Sequence, residues 1–98
     1  MHVVVNHLHL REPVTEATVQ AARDAVQRVV AAGGLAAHVA QVDDTHLILV
    51  LTFTLPEDAD RISREVGGPW MREHIVPTLA RGPERSLGEV IASATATG

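Results

Sequence analysis

Two segments of this chain are apolar on both faces, and that limits its fold more than any other feature. In the first, Val3 and Val5 alternate with Val4 and Leu8. In the second, Leu47, Leu49, Leu51 and Phe53 alternate with Ile48 and Val50. Successive side chains of a strand point to opposite sides of a sheet, so both segments need cover on two sides. What the rest of the chain can supply as cover decides the architecture.

The first segment runs from His2 to Leu10, is rich in β-branched residues and Leu, and is closed by Arg11-Glu12-Pro13, which predicts a strand. From Val14 the period changes. Val19, Ala22, Val26, Val29 and Val30 fall on one stripe of a helix that Gly33-Gly34 should stop. Leu35 to Val42, the polar turn Asp43-Asp44-Thr45 and His46 to Thr54 then read as a hairpin. Pro56 with Glu57, Asp58 and Asp60 suits a helix start, where the macrodipole favours acid, and Leu55, Ala59, Ile62 and Val66 give that helix an apolar face. Gly67-Gly68 should break it. Pro69 can open a short further helix through Trp70, Ile75 and Leu79, which Pro77 should bend near Val76. Arg81 to Glu84 reads as a turn, Ser86 to Thr95 as a last strand, and Ala96-Thr97-Gly98 as a fraying end.

The order strand, helix, strand, strand, helix, strand predicts an α+β, ferredoxin-like βαββαβ fold: a four-stranded antiparallel sheet with both helices on one face. In that topology the two doubly apolar strands are central, and two helices cover one face only. The other face would expose more apolar surface than a soluble monomer usually tolerates. A second copy packed sheet to sheet is therefore expected, giving a homodimer. Size argues the same way: 98 residues make one domain, residues 1–98, which on its own buries only about 60–65% of its unfolded surface.

The residue inventory removes several kinds of chemistry. The chain has no Cys and no Tyr, and all eight basic residues are Arg, so thiolate and Schiff-base chemistry are excluded. A net charge of −4 and the lack of a basic cluster argue against nucleic acid. The longest apolar run is Leu47 to Leu51, and no cationic stretch precedes a hydrophobic one at Met1-His2. Neither a membrane span nor a secretory signal is expected, and a soluble cytoplasmic protein is the default. No nucleotide-binding glycine motif and no nucleophile elbow around Ser63, Ser86 or Ser93 is present.

Two stretches, Val4-Val-Asn6-His-Leu-His-Leu10 and Gly68-Pro-Trp-Met-Arg-Glu-His74-Ile-Val-Pro77, resemble the dimeric α/β-barrel superfamily. Within it they are similar to antibiotic-biosynthesis monooxygenase-like proteins: an opening strand carrying an Asn, and a second helical region carrying an aromatic residue and a His. The resemblance implies a pocket between sheet and helices for a flat apolar molecule, and oxygenase chemistry without a cofactor. Its haem-degrading branch implies haem as an alternative cofactor, with Asn6 and His74 in the site. That branch carries a Trp about two turns before the His. Here that place falls near Arg64-Glu65, and the Trp stands at position 70.

Asn6 is a polar residue between Val4 and Leu8 on its own face. It can bond to loop backbone, or its amide can steady an oxyanion on a bound substrate. Trp70 and His74 stand at i and i+4 and share one helical face. His74 can take a phenolic proton, ligate haem iron or simply stand at the surface. Trp70 fits core packing or a stacking wall. Asn6 and His74 are thus the candidate catalytic residues, with Trp70, Arg72 and Phe53 as candidate substrate-binding residues. Arg72, like Arg61 and Arg64, can hold a carboxylate or pair with neighbouring acids. His7 and His9 share the face opposite Asn6, where His38 or His46 could approach them. No third metal ligand has supporting spacing, so no metal is assigned. Their expected place is the dimer-facing layer, which acid should then loosen.

Overall fold

The computed structural model describes residues 1–96. Its elements are β1 (His2–His9), α1 (Glu16–Ala31), β2 (Ala36–Asp43), β3 (His46–Phe53), α2 (Pro56–Ile62) and β4 (Glu84–Glu89). The strands form one antiparallel sheet in the order β2-β3-β1-β4, the ferredoxin-like arrangement expected. Among the described residues no helix is long and apolar enough to cross a membrane.

α1 begins where Thr15 caps it, its Oγ1 accepting from the Thr18 N–H at 3.2 Å. It ends before Gly33, whose φ of +114° is open to glycine and strained for other residues. The β2–β3 turn is closed by Asp43, whose Oδ1 accepts from the Thr45 N–H at 2.9 Å. That bond, more than any other influence, holds the Asp43 carboxyl below its ordinary value.

Beyond Ile62 the expected break at Gly67-Gly68 is absent. Both glycines take right-handed helical angles, and the chain coils on through a π-helical turn, Ser63–Gly67, a short α segment, Gly68–Trp70, and a second π turn, Met71–Ile75. The Gly68 N–H reaches back five residues to the Ser63 carbonyl. A Cβ at Gly68 would lie 2.9 Å from that oxygen, so glycine here serves close approach instead of termination. The run ends as Pro77 predicts, in a 3-10 turn over Val76–Thr78 followed by extended Leu79.

The last strand also departs from expectation. It starts at Glu84 and stops at Glu89, where the sequence predicts Ser86 to Thr95. Its partner sets the limit: pairing runs from His7↔Glu84 to His2↔Glu89, and after the Val90 N–H reaches the Met1 carbonyl no partner strand is left. Ala96 carries no regular structure, and Thr97 and Gly98 of the expected fraying end lie outside the described residues.

The sheet is sharply two-sided. Val4, Leu8, Leu47, Leu49, Leu51 and Phe53 are buried against Ala25 and Val29 of α1 and against Ala59, Ile62, Trp70 and Ile75 of the helical run. Val3, Val5, Ile48 and Val50 point the other way and are only half-buried. β4 is exposed along its whole length.

Candidate functional site

Asn6 lies at the middle of β1 on the helix-covered face, with Leu49 of β3 on one side and Arg85 of β4 on the other. It is 9% exposed and is the only buried polar residue among the described residues. Its amide makes no hydrogen bond among the described residues. It is not a sealed, unpartnered group either, so it keeps a narrow contact with solvent. A bonded structural amide would have a fixed partner, and leaving one unmet costs about 1–3 kcal/mol. Here the amide has no such partner among the described residues, and β4 beside it is exposed along its whole length.

Trp70 and His74 come together as their spacing predicts, with ring centroids 6.4 Å apart and planes inclined by 41°. Their surroundings differ. Trp70 is 6% exposed, and its Nε1–H donates to the Ala21 carbonyl of α1 at 3.1 Å, so the indole pins the helical run to α1. The His74 side chain is 43% exposed, and Nε2 lies 3.8 Å from a Glu73 carboxylate oxygen. Neither ring is hydrogen-bonded to Asn6. Arg72 is exposed and folds back over the Gly68 backbone, while Phe53 is sealed in the core at 0% exposure.

Among the described residues, two well-formed cavities can be traced, and neither of them is lined by Asn6, Phe53, Trp70, Arg72 or His74. One, of about 410 Å³, lies between α1 and the β2–β3 hairpin. The other lies among Leu10, Arg11, Pro13, Thr15, Pro77 and Thr78. The first was missed from the sequence. Its one signal is Arg23, four residues after Val19, which stands exposed at the margin of the apolar stripe of α1.

The resemblance raised haem as an alternative group, with His74 as the candidate axial ligand. That ring stands at the surface beside Glu73 and neither cavity reaches it. The residues present do not build a haem pocket.

On the opposite face the histidines assemble. His7 Nδ1 and His46 Nε2 are 3.1 Å apart, and the His9 and His46 rings stack at 4.3 Å. Arg81 Nη2 donates to His9 Nε2 at 3.0 Å, and Glu84 lies 3.8 Å from the same nitrogen. Partial burial and then the Arg81 charge hold the His9 imidazole below its ordinary value, with His46 and His7 adding and Glu84 opposing. Of the two cross-sheet partners open from the sequence it is His46 that joins; His38 is paired with Val50 in the register. Among the described residues no three His, Asp or Glu side chains are grouped to hold a metal ion.

No protein-family model matches the sequence, and no curated protein is detectably similar to it. Solved structures do match. A putative antibiotic biosynthesis monooxygenase from Nitrosomonas europaea superposes with a TM-score of 0.80 at 16% identity, over 94% of this chain and 100% of that one. A monooxygenase from the gene ActVA-Orf6 of Streptomyces coelicolor, solved with the ligand Nanaomycin D, gives 0.67 at 19% identity, over 98% and 92%. A dimeric ferredoxin-like protein from an uncultured marine organism gives 0.71 at 12% identity, over 98% and 92%. The chain therefore has the fold of the antibiotic biosynthesis monooxygenase-like proteins.

Proposed function

We propose that this chain is a small cytoplasmic, cofactor-independent monooxygenase acting on a planar, mostly apolar phenol or enol. It works as a homodimer whose second copy covers the open face of the sheet and completes a dimeric α/β barrel. The observation that carries the reading is Asn6: an amide without a partner, set among buried apolar side chains on the face that the helices roof. In an apolar site such a dipole is worth far more to a developing oxyanion than it would be in water.

In this reading His74 takes the acidic proton of the substrate, Asn6 donates to the resulting enolate oxygen, and the Trp70 edge, Arg72 and the wall backed by Phe53 hold the ring system. The carbanion character of the enolate lets dioxygen add at carbon. One oxygen atom stays as a new carbonyl and the other leaves as water, so a CH₂ group and O₂ give C=O and H₂O with no external reductant. The monooxygenases that share this fold support the proposal by likeness of shape alone.

Oxygen uptake with anthrone, corrected for its spontaneous oxidation, tests it. The protein should accelerate uptake, and His74→Ala should lower kcat by about 10²-fold or more. Equal rates for the two proteins would remove the role assigned to His74. Binding of anthrone without turnover would make the chain a binding module, and a Soret shift on haemin titration that His74→Ala abolishes would move the assignment to haem.

A further inference from the structure

The cavity between α1 and the β2–β3 hairpin is separate from the Asn6 flank, and the proposed oxygenase chemistry makes no use of it. Its floor and roof are apolar: Val19, Ala22 and Val26 from α1 face Ala37 and Val39 of β2 and Leu47 of β3. At about 410 Å³ it falls within the range of small-molecule sites. Apolar cavities of about 150 Å³ already take up benzene-sized guests, so a space of this kind has a reason to fill. Ala22 and Ala37 contribute only small side chains to its lining.

The polar groups of the lining are not balanced in charge. Arg23 is the one guanidinium in it, His38 adds an imidazole, Thr18 and Gln41 supply neutral hydrogen-bonding groups, and no Asp or Glu takes part. Arg23 has no ion pair and no side-chain hydrogen bond among the described residues, whereas Arg61 and Arg81 are each tied to acids. In a chain of net charge −4 this is a local cationic mouth on an apolar slot. We infer that the cavity binds a flat or chain-like apolar molecule bearing a single carboxylate, with its hydrocarbon part between α1 and β2 and its carboxylate on the Arg23 guanidinium.

Titration of ¹⁵N- and methyl-labelled protein with naphthalene-2-carboxylate, 2-naphthylmethanol and 2-naphthylmethylammonium tests this. The carboxylate should shift the signals of Val19, Ala22, Val26, Ala37 and Val39 saturably, and bind about tenfold more tightly than the alcohol. The ammonium compound should bind least. Arg23→Gln should make the acid and the alcohol equal, and Ala37→Leu, which fills the slot, should abolish both. Far-UV circular dichroism of the two variants separates loss of binding from loss of fold. Equal affinity for all three probes, or shifts confined to Asn6 and His74, would overturn the inference while leaving the oxygenase reading standing. Absence of saturable shifts, or Ala37→Leu dissociating the dimer, would mean that the slot is a packing gap or is filled by a second copy, and would overturn it equally.

Discussion

The two faces of the central strand pair are built from similar residues and end in different states. On the helix side, Leu8, Leu47, Leu49, Leu51 and Phe53 are shut away from water. One residue along each strand, Val5, Ile48 and Val50 remain half-buried on the other side. Alternation of apolar residues states that a face wants cover; it does not state what provides it. The polar insertions differ too. The covered face admits one amide, Asn6, and the open face gathers His7, His9 and His46 with Arg81 and Glu84 around them. The covered face thus carries one amide dipole, and the open face a set of imidazoles.

Substitution can break this contrast. The largest effect is expected on the covered side, where Phe53→Ala should remove about 3–5 kcal/mol from the unfolding free energy measured in urea. Val5→Asp, one face over, should leave the far-UV spectrum intact and produce a single-chain species, because the charge would fall where the proposed second sheet packs and not in the core of one chain. If Val5→Asp unfolds the chain as Phe53→Ala does, the two faces are not distinct.

Acid should act on the open face next. The His9 imidazole is held below its ordinary value of 6.5, so between 6.5 and its lowered value the unfolded chain binds more protons than the folded one. The stability contributed is present above pH 6.5 and is lost as pH falls through the folded value. His7, His46 and Arg81 face the ring as cations or potential cations and deepen the loss; Glu84 opposes it. Urea midpoints at pH 7.5 and 5.5 should differ in wild type and differ less in His9→Gln. The smallest effect on stability belongs to Asn6→Ala, within about 0.5 kcal/mol, because no protein hydrogen bond is lost. The same change should lower anthrone turnover by about tenfold or more.

Much of this arrangement was legible in the sequence, for identifiable reasons. Strand period and turn residues placed β1, β3 and the hairpin, and the excess of apolar faces over helices singled out the open side. The i, i+4 spacing brought Trp70 to His74. Gly67-Gly68 misled because glycine's low helix propensity reads as a stop, while Ile62, Trp70 and Ile75, all buried, anchor the run on either side of it. The end of β4 was set by where β1 begins, which no property of Ser86 to Thr95 reveals. The bond from Trp70 to Ala21 and the cavity beside Arg23 were hidden for a similar reason: both depend on the spacing between elements distant in sequence.

Sedimentation equilibrium at micromolar concentration tests the central claim, that a second copy covers the face opposite the helices. The account predicts a species of twice the 10.5 kDa chain mass for the wild type at pH 7.5. A stable, folded species of 10.5 kDa under those conditions would contradict it.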